Sequence, residues 1–225
     1  MHLPDTDSWD EFDWERAFRQ DDERIRLYMR ELPKYIDLPE EDELILARIS
    51  SDPAYTKCDK LLSEKLSSYF MDHSNTENSG ENASQEEEDP EAWQKREAAP
   101  PYMLFSDLAR LWAQEFARHP EGEIPHTPFL RAASIYGQLI LRSSDLLDLP
   151  EKEKRCTALK IAIAKRILSG INALCGELQE MGSRYTTLSA TCNDHFEKLL
   201  AMREKMTDYI ARIRQERASS GGKHV

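Results

Sequence analysis

The chain has 225 residues and sets 42 Asp or Glu against 30 Lys or Arg, a formal net charge of -12, with only 8 glycines among them. Hydrophobic residues make up 40%, enough to bury a core, and runs rich in Ala, Leu, Glu, Lys and Arg favour helix over sheet. No stretch approaches the roughly 18 uninterrupted apolar residues of a membrane span, and none alternates apolar and polar residues long enough to read as a strand.

Charge is unevenly placed. Residues 1–99 carry 12 basic and 27 acidic side chains, and residues 100–225 carry 18 and 15. An acidic part that docks on or shields a mildly basic one is one reading; two independently solvated surfaces is the other. The opening MHLPDTDSWDEFDWE has neither the basic leader nor the apolar core of a secretory signal. The cysteines Cys58, Cys156, Cys175 and Cys192 are widely spaced, and three fall on apolar helix faces, so they read as reduced and buried. Cytoplasm is the expected compartment.

Ser8 and Glu11 have the spacing of a capping box, which starts a helix expected over about 8–32 with an inward stripe of Trp14, Phe18, Ile25, Tyr28 or Met29, and Leu32. Its first turns hold Asp10, Glu11, Asp13 and Glu15, where the helix dipole favours acids. Pro33 and Pro39 bracket a turn, and a short helix over 39–50 uses Leu44, Ile45 and Ile49. Asp52-Pro53 opens a third, over 53–71, with Tyr55, Cys58, Leu62, Leu66, Tyr69 and Phe70 on one face. Residues 72–91 contain almost nothing apolar and read as a disordered acidic linker.

Past the linker, Ser106 caps a helix with Leu108, Leu111, Trp112 and Phe116 on one side. Thr127-Pro128 starts the first of two long helices joined at Leu149-Pro150. In the second, Cys156, Leu159, Ile163, Ile167, Gly170, Leu174, Leu178 and Met181 recur every three or four residues, and Ile161, Leu168, Ile171 and Cys175 widen the stripe until it must be covered on more than one side. Gly170, Gly176 and nearby alanines read as positions where a neighbour comes close, and Gly182 as the stop. A last helix, about 187–217, carries Leu188, Cys192, Phe196, Leu199, Met206, Ile210 and Ile213, interrupted by Arg203; a loose tail, 218–225, follows. The fold expected is all-α: an antiparallel bundle of about four helices within 102–217, in a part spanning 92–217, and a smaller acidic helical part at 1–71.

Catalytic patterns are missing. Glu-x-x-His pairs for a di-metal site do not occur, and Glu115 and His119 are four apart. Cys192 and His195 have a ligand-like spacing that Cys175 could join across the bundle, but a buried cysteine beside an exposed histidine is the plainer reading. His126, at a helix start, reads as a surface loop residue. There is no G-x-S-x-G elbow and no phosphate-binding glycine loop, so neither a metal nor a cofactor is expected.

Two functional readings lead, and a third, an enzyme, would show itself as several inward polar side chains converging in one pocket of the bundle, His195 or His126 among them. The first is a non-enzymatic interaction or scaffold protein acting through helix-helix contacts, with another protein or a second copy, for which Leu188, Phe196, Leu199, Met206, Ile210 and Ile213 form the candidate seam. The second is a nucleic-acid-associated regulator using Lys152, Lys154, Arg155, Lys160, Lys165 and Arg166 together with the basic residues of 198–217, shielded by the acidic N-terminal part. The chain's overall acidity opposes the second.

Overall fold

The computed structural model describes residues 9–36, 38–52, 92–119, 126–150 and 156–221. Every regular element among them is helical: α1 (Glu11–Tyr35), α2 (Glu41–Ile49), α3 (Ala99–Arg118), α4 (His126–Asp148), α5 (Thr157–Arg184) and α6 (Ser189–Gly221). Short 3-10 turns at Ala92–Lys95 and Thr186–Leu188 precede α3 and α6. The chain divides into two compact units, Met1–Glu87 and Glu88–Val225. The helix expected at 53–71, Cys58, the linker and the basic residues Lys152, Lys154 and Arg155 lie outside the described residues.

In the first unit α1 and α2 form a helical hairpin. Its capping box is Asp10 with Asp13 rather than Ser8 with Glu11: the Asp10 carboxylate accepts from the amides of Phe12 (2.8 Å) and Asp13 (2.9 Å), and Asp13 returns the bond to the Asp10 amide. Aspartate caps as well as serine, so the box two residues later can take the helix start. Pro33 does not end α1. It sits in the last turn, and the Ile36 amide still bonds the Leu32 carbonyl at 2.9 Å.

The hairpin core is Leu27 with Ile45 and Ile49, flanked by Tyr28, Leu32 and Tyr35. Trp14, Ala17 and Phe18 are buried as well, whereas Ile25, expected to face inward, is 49% exposed; of the alternatives Tyr28 and Met29, Tyr28 packs on the core and Met29 is 56% exposed. The buried face therefore does not follow one straight stripe. It turns between Phe18 and Leu27 so that the C-terminal half of α1 can meet α2. Leu44 is likewise exposed while Ile45 and Ile49 are buried. Glu31 is buried between Arg30 (3.1 Å) and Lys34 (2.6 Å).

The second unit is an antiparallel bundle in which α3 packs on α4, α4 on α5 and α5 on α6. α3 begins seven residues before Ser106, because Pro100 and Pro101 fall in the first turn, where amides have no helical partner to lose. Ala158, Leu159, Ile161, Ala162, Ile163 and Ala164 at the start of α5 are all buried, as its wide apolar face demands. Two glycines on α5 mark close approaches. A Cβ on Gly170 would lie 2.8 Å from Leu139 Cδ2 on α4, and one on Gly182 would lie 3.2 Å from Cys192 Cβ on α6. Gly182 is thus a contact inside the helix, which runs on to Arg184, and not its stop. Gly176 has nothing within 4 Å and needs no such explanation.

Candidate functional site

The polar residues that the bundle brings together meet at its centre. α4 supplies Tyr136, α6 supplies His195, and the Tyr136 hydroxyl lies 2.6 Å from His195 Nδ1. Both side chains are closed off, at 0% and 1% exposure. Trp112 of α3 walls the pair, its ring centre 6.3 Å from that of Tyr136 and 5.8 Å from that of His195, while its indole N–H donates to the Phe129 carbonyl at 3.2 Å. Phe129 and Phe116 continue the aromatic layer, and His126, the first residue of α4, meets Phe116 edge-on at 5.3 Å.

Position in the repeat explains why His195 faces inward. Leu188, His195 and Met202 stand seven apart, as do Cys192, Leu199, Met206 and Ile213, and all seven residues are buried. These are the two core positions of a heptad. The seam expected from sequence placed Phe196 and Arg203 in it, each one residue too far. Phe196 is half-buried and Arg203 exposed, while His195 and Met202 hold the core positions. The heptad spacing that marks His195 is present in the sequence, although residue type favours the adjacent Phe196. The other seam residues, Leu188, Leu199, Met206, Ile210 and Ile213, are buried in the chain's own packing, so a partner helix reaches them only by opening the bundle.

Electrostatics follow from closure. Burial holds the His195 imidazole below its ordinary value of 6.5; Asp194 and Glu115 pull it back up and Lys198 pushes it further down. Burial, then the nearby Cys192 and Cys175 thiols and Asp194, raises Tyr136 far above the usual phenol range. The tyrosine therefore keeps its proton, and the imidazole beside it accepts from the hydroxyl or donates to it according to its tautomer. Cys192 is pushed up to about 11 by burial and by Glu115. In this closed, aromatic-walled site Tyr136 and His195 form a hydrogen-bonded pair, with the buried Cys192 thiol nearby.

The remaining candidates are dispersed. Glu115 accepts from Arg118 (3.0 Å) and pairs with His119 (3.3 Å) along α3. Among the described residues no three His, Cys, Asp or Glu side chains are grouped so as to hold a metal ion. Lys160, expected in the basic patch, is buried and donates to the Pro150 carbonyl at 2.6 Å. Lys165 and Arg166 are half-buried and already engaged. On α6, Lys198 pairs with Asp194 (2.6 Å) and Arg212 with Glu97, so its basic residues share their surface with acids.

One groove of about 360 Å³ lies between the start of α3 and the second half of α6, floored by Leu146, Met202 and Met206. Its rim carries Lys205 and Arg212 against Glu97 and Asp208, a balanced set of charges. Among the described residues no helix is long and apolar enough to cross a membrane. Comparison with protein-family models, curated proteins and solved structures gives no match.

Proposed function

We propose that this chain is a non-enzymatic interaction protein that works through the outer faces of its bundle helices, in a reducing compartment such as the cytoplasm. One observation carries the reading: the buried Tyr136 and His195 are paired with each other, while the outer face of α4 from Thr127 to Leu141 carries a single charge. On α4 the exposed positions from Thr127 to Leu141 are Thr127, Leu130, Arg131, Ala133, Ser134, Gly137, Gln138 and Leu141, and Arg131 is the single charged residue among them. A solvated helix in a chain with 32% charged residues ordinarily carries charge there. Leu130 and Leu141 stand 61% and 57% exposed. An outward apolar stripe rimmed by polar residues is the kind of surface that binds another helix. The three free, buried cysteines Cys156, Cys175 and Cys192 support the compartment.

The test is affinity capture followed by mass spectrometry with two baits, the wild-type chain and the Leu130→Glu/Leu141→Glu variant. Partners retained by the first and lost by the second are expected. A catalytic turnover that survives purification and disappears in a folded His195→Gln variant would overturn the reading.

A further inference from the structure

The outer stripe of α4 reads nearly the same from either end. Leu130 and Leu141 sit three turns apart on one side of the helix, with the small residues Ser134 and Gly137 between them and Ala133 and Gln138 along the edge. A two-fold axis crossing α4 between Ile135 and Tyr136 exchanges Leu130 with Leu141, Ser134 with Gly137 and Ala133 with Gln138. The exchange sets leucine on leucine at both ends and small on small at the centre. Nothing lies within 4 Å of a Cβ added at Gly137, so the centre of the stripe is open.

We propose, building on the interaction reading, that the partner of this face is a second copy of the chain, bound through antiparallel α4 helices about that axis. A two-fold contact must be complementary to itself, and charge is the usual obstacle, since each charge on the axis meets its own kind. This stripe has none near its centre. Arg131 lies off to one side and reaches Glu177 of α5 within its own chain, at 3.9 Å. The small residues at the crossing allow the helix axes to approach to about 8 Å, the near end of the usual range, where the four leucines of the two copies close over both ends. Two helix faces alone bury less than about 1,200 Å², which places the dimer among weak, reversible complexes.

Sedimentation equilibrium of the full chain from 5 to 500 μM reads this directly. The wild type is expected to pass from monomer to dimer, and Leu130→Glu/Leu141→Glu, with unchanged helical circular dichroism, to remain monomeric. Geometry is tested by oxidative cross-linking in a Cys58→Ser background. An equimolar mixture of Leu130→Cys and Leu141→Cys chains is expected to cross-link well, and each alone poorly, because like positions lie about 16 Å apart along antiparallel helices. A monomer at every concentration, a dimer unaffected by the glutamates, or preferential cross-linking of like positions would each overturn the proposal. The broader interaction reading fails separately, when no captured protein depends on this face.

Discussion

Tyr136 and His195, 59 residues apart in the chain, are joined by a 2.6 Å hydrogen bond across the core of the bundle. His195 occupies a heptad core position between Leu188 and Met202, where an apolar residue would pack without needing a partner. A single polar residue at such a position lowers stability but fixes register, since only one alignment of the helices brings its partner opposite. Sliding α6 by one heptad would leave a phenol and an imidazole buried without each other. We therefore regard the pair as the element that selects this packing from other alignments of a largely aliphatic core.

The pair makes stability depend on pH in a definite sense. His195 is held below its ordinary 6.5, mainly by burial, with Asp194, Lys198 and Glu115 as the charged groups acting on it. On acidification the unfolded chain takes up this proton first. The stabilising contribution is thus complete above about pH 6.5 and is lost as pH falls from there to the depressed folded-state value, by at most about 1.4 kcal/mol per pH unit for one proton. Urea midpoints measured between pH 7.5 and 5 are expected to fall, and the fall to be shallower in His195→Leu. Equal slopes for the two proteins would contradict the assignment.

The glycines divide by what surrounds them. Gly137 and Gly176 lie within helices with open space at the Cβ position, so Gly137→Ala and Gly176→Ala are each expected to stabilise by about 0.5–1 kcal/mol in thermal unfolding of the monomer. At Gly170 the new methyl would press on the buried Leu139 side chain at 2.8 Å, and the helical gain is offset by repacking. Gly170→Ala is accordingly expected to be neutral or destabilising. A full stabilisation there would show that α4 and α5 are less tightly apposed than described.

Thiol chemistry gives a third check. Cys156, Cys175 and Cys192 are buried, and burial raises the last two above the ordinary thiol range. In native protein at pH 7.5, iodoacetamide is expected to modify these three at least tenfold more slowly than in urea-unfolded protein, read peptide by peptide by mass spectrometry. Rapid native labelling of Cys192 would show that the layer containing His195 opens readily.

Much of the bundle was legible in sequence because long helices repeat their signal. The α5 stripe and the all-α class follow from many residues that agree, and one unusual residue changes little. Boundaries were less legible. At Asp10, at Pro33 and at Pro100-Pro101, two local signals of similar strength compete, and the fold decides between them. The central pair is hard to read for a different reason: residue type favours Phe196 over His195 at a seam position, and only the heptad spacing favours His195. Tyr136 gave no signal of its own, because its role exists only once α4 and α6 face each other. The exchange symmetry of the α4 stripe is written in its residues, yet it acquires meaning only when that face is seen to be open.

The central claim is that the buried Tyr136–His195 pair sets the packing of the bundle, and a double-mutant cycle tests it most directly. Folding free energies from urea titration at pH 7.5 would be compared for wild type, Tyr136→Phe, His195→Leu and the double variant. Each single substitution strands a buried partner and is expected to cost about 1–3 kcal/mol. The double variant is expected to cost less than their sum by at least about 1 kcal/mol. Strictly additive losses would contradict the account, because two residues that sense each other only through general packing have no power to choose a register.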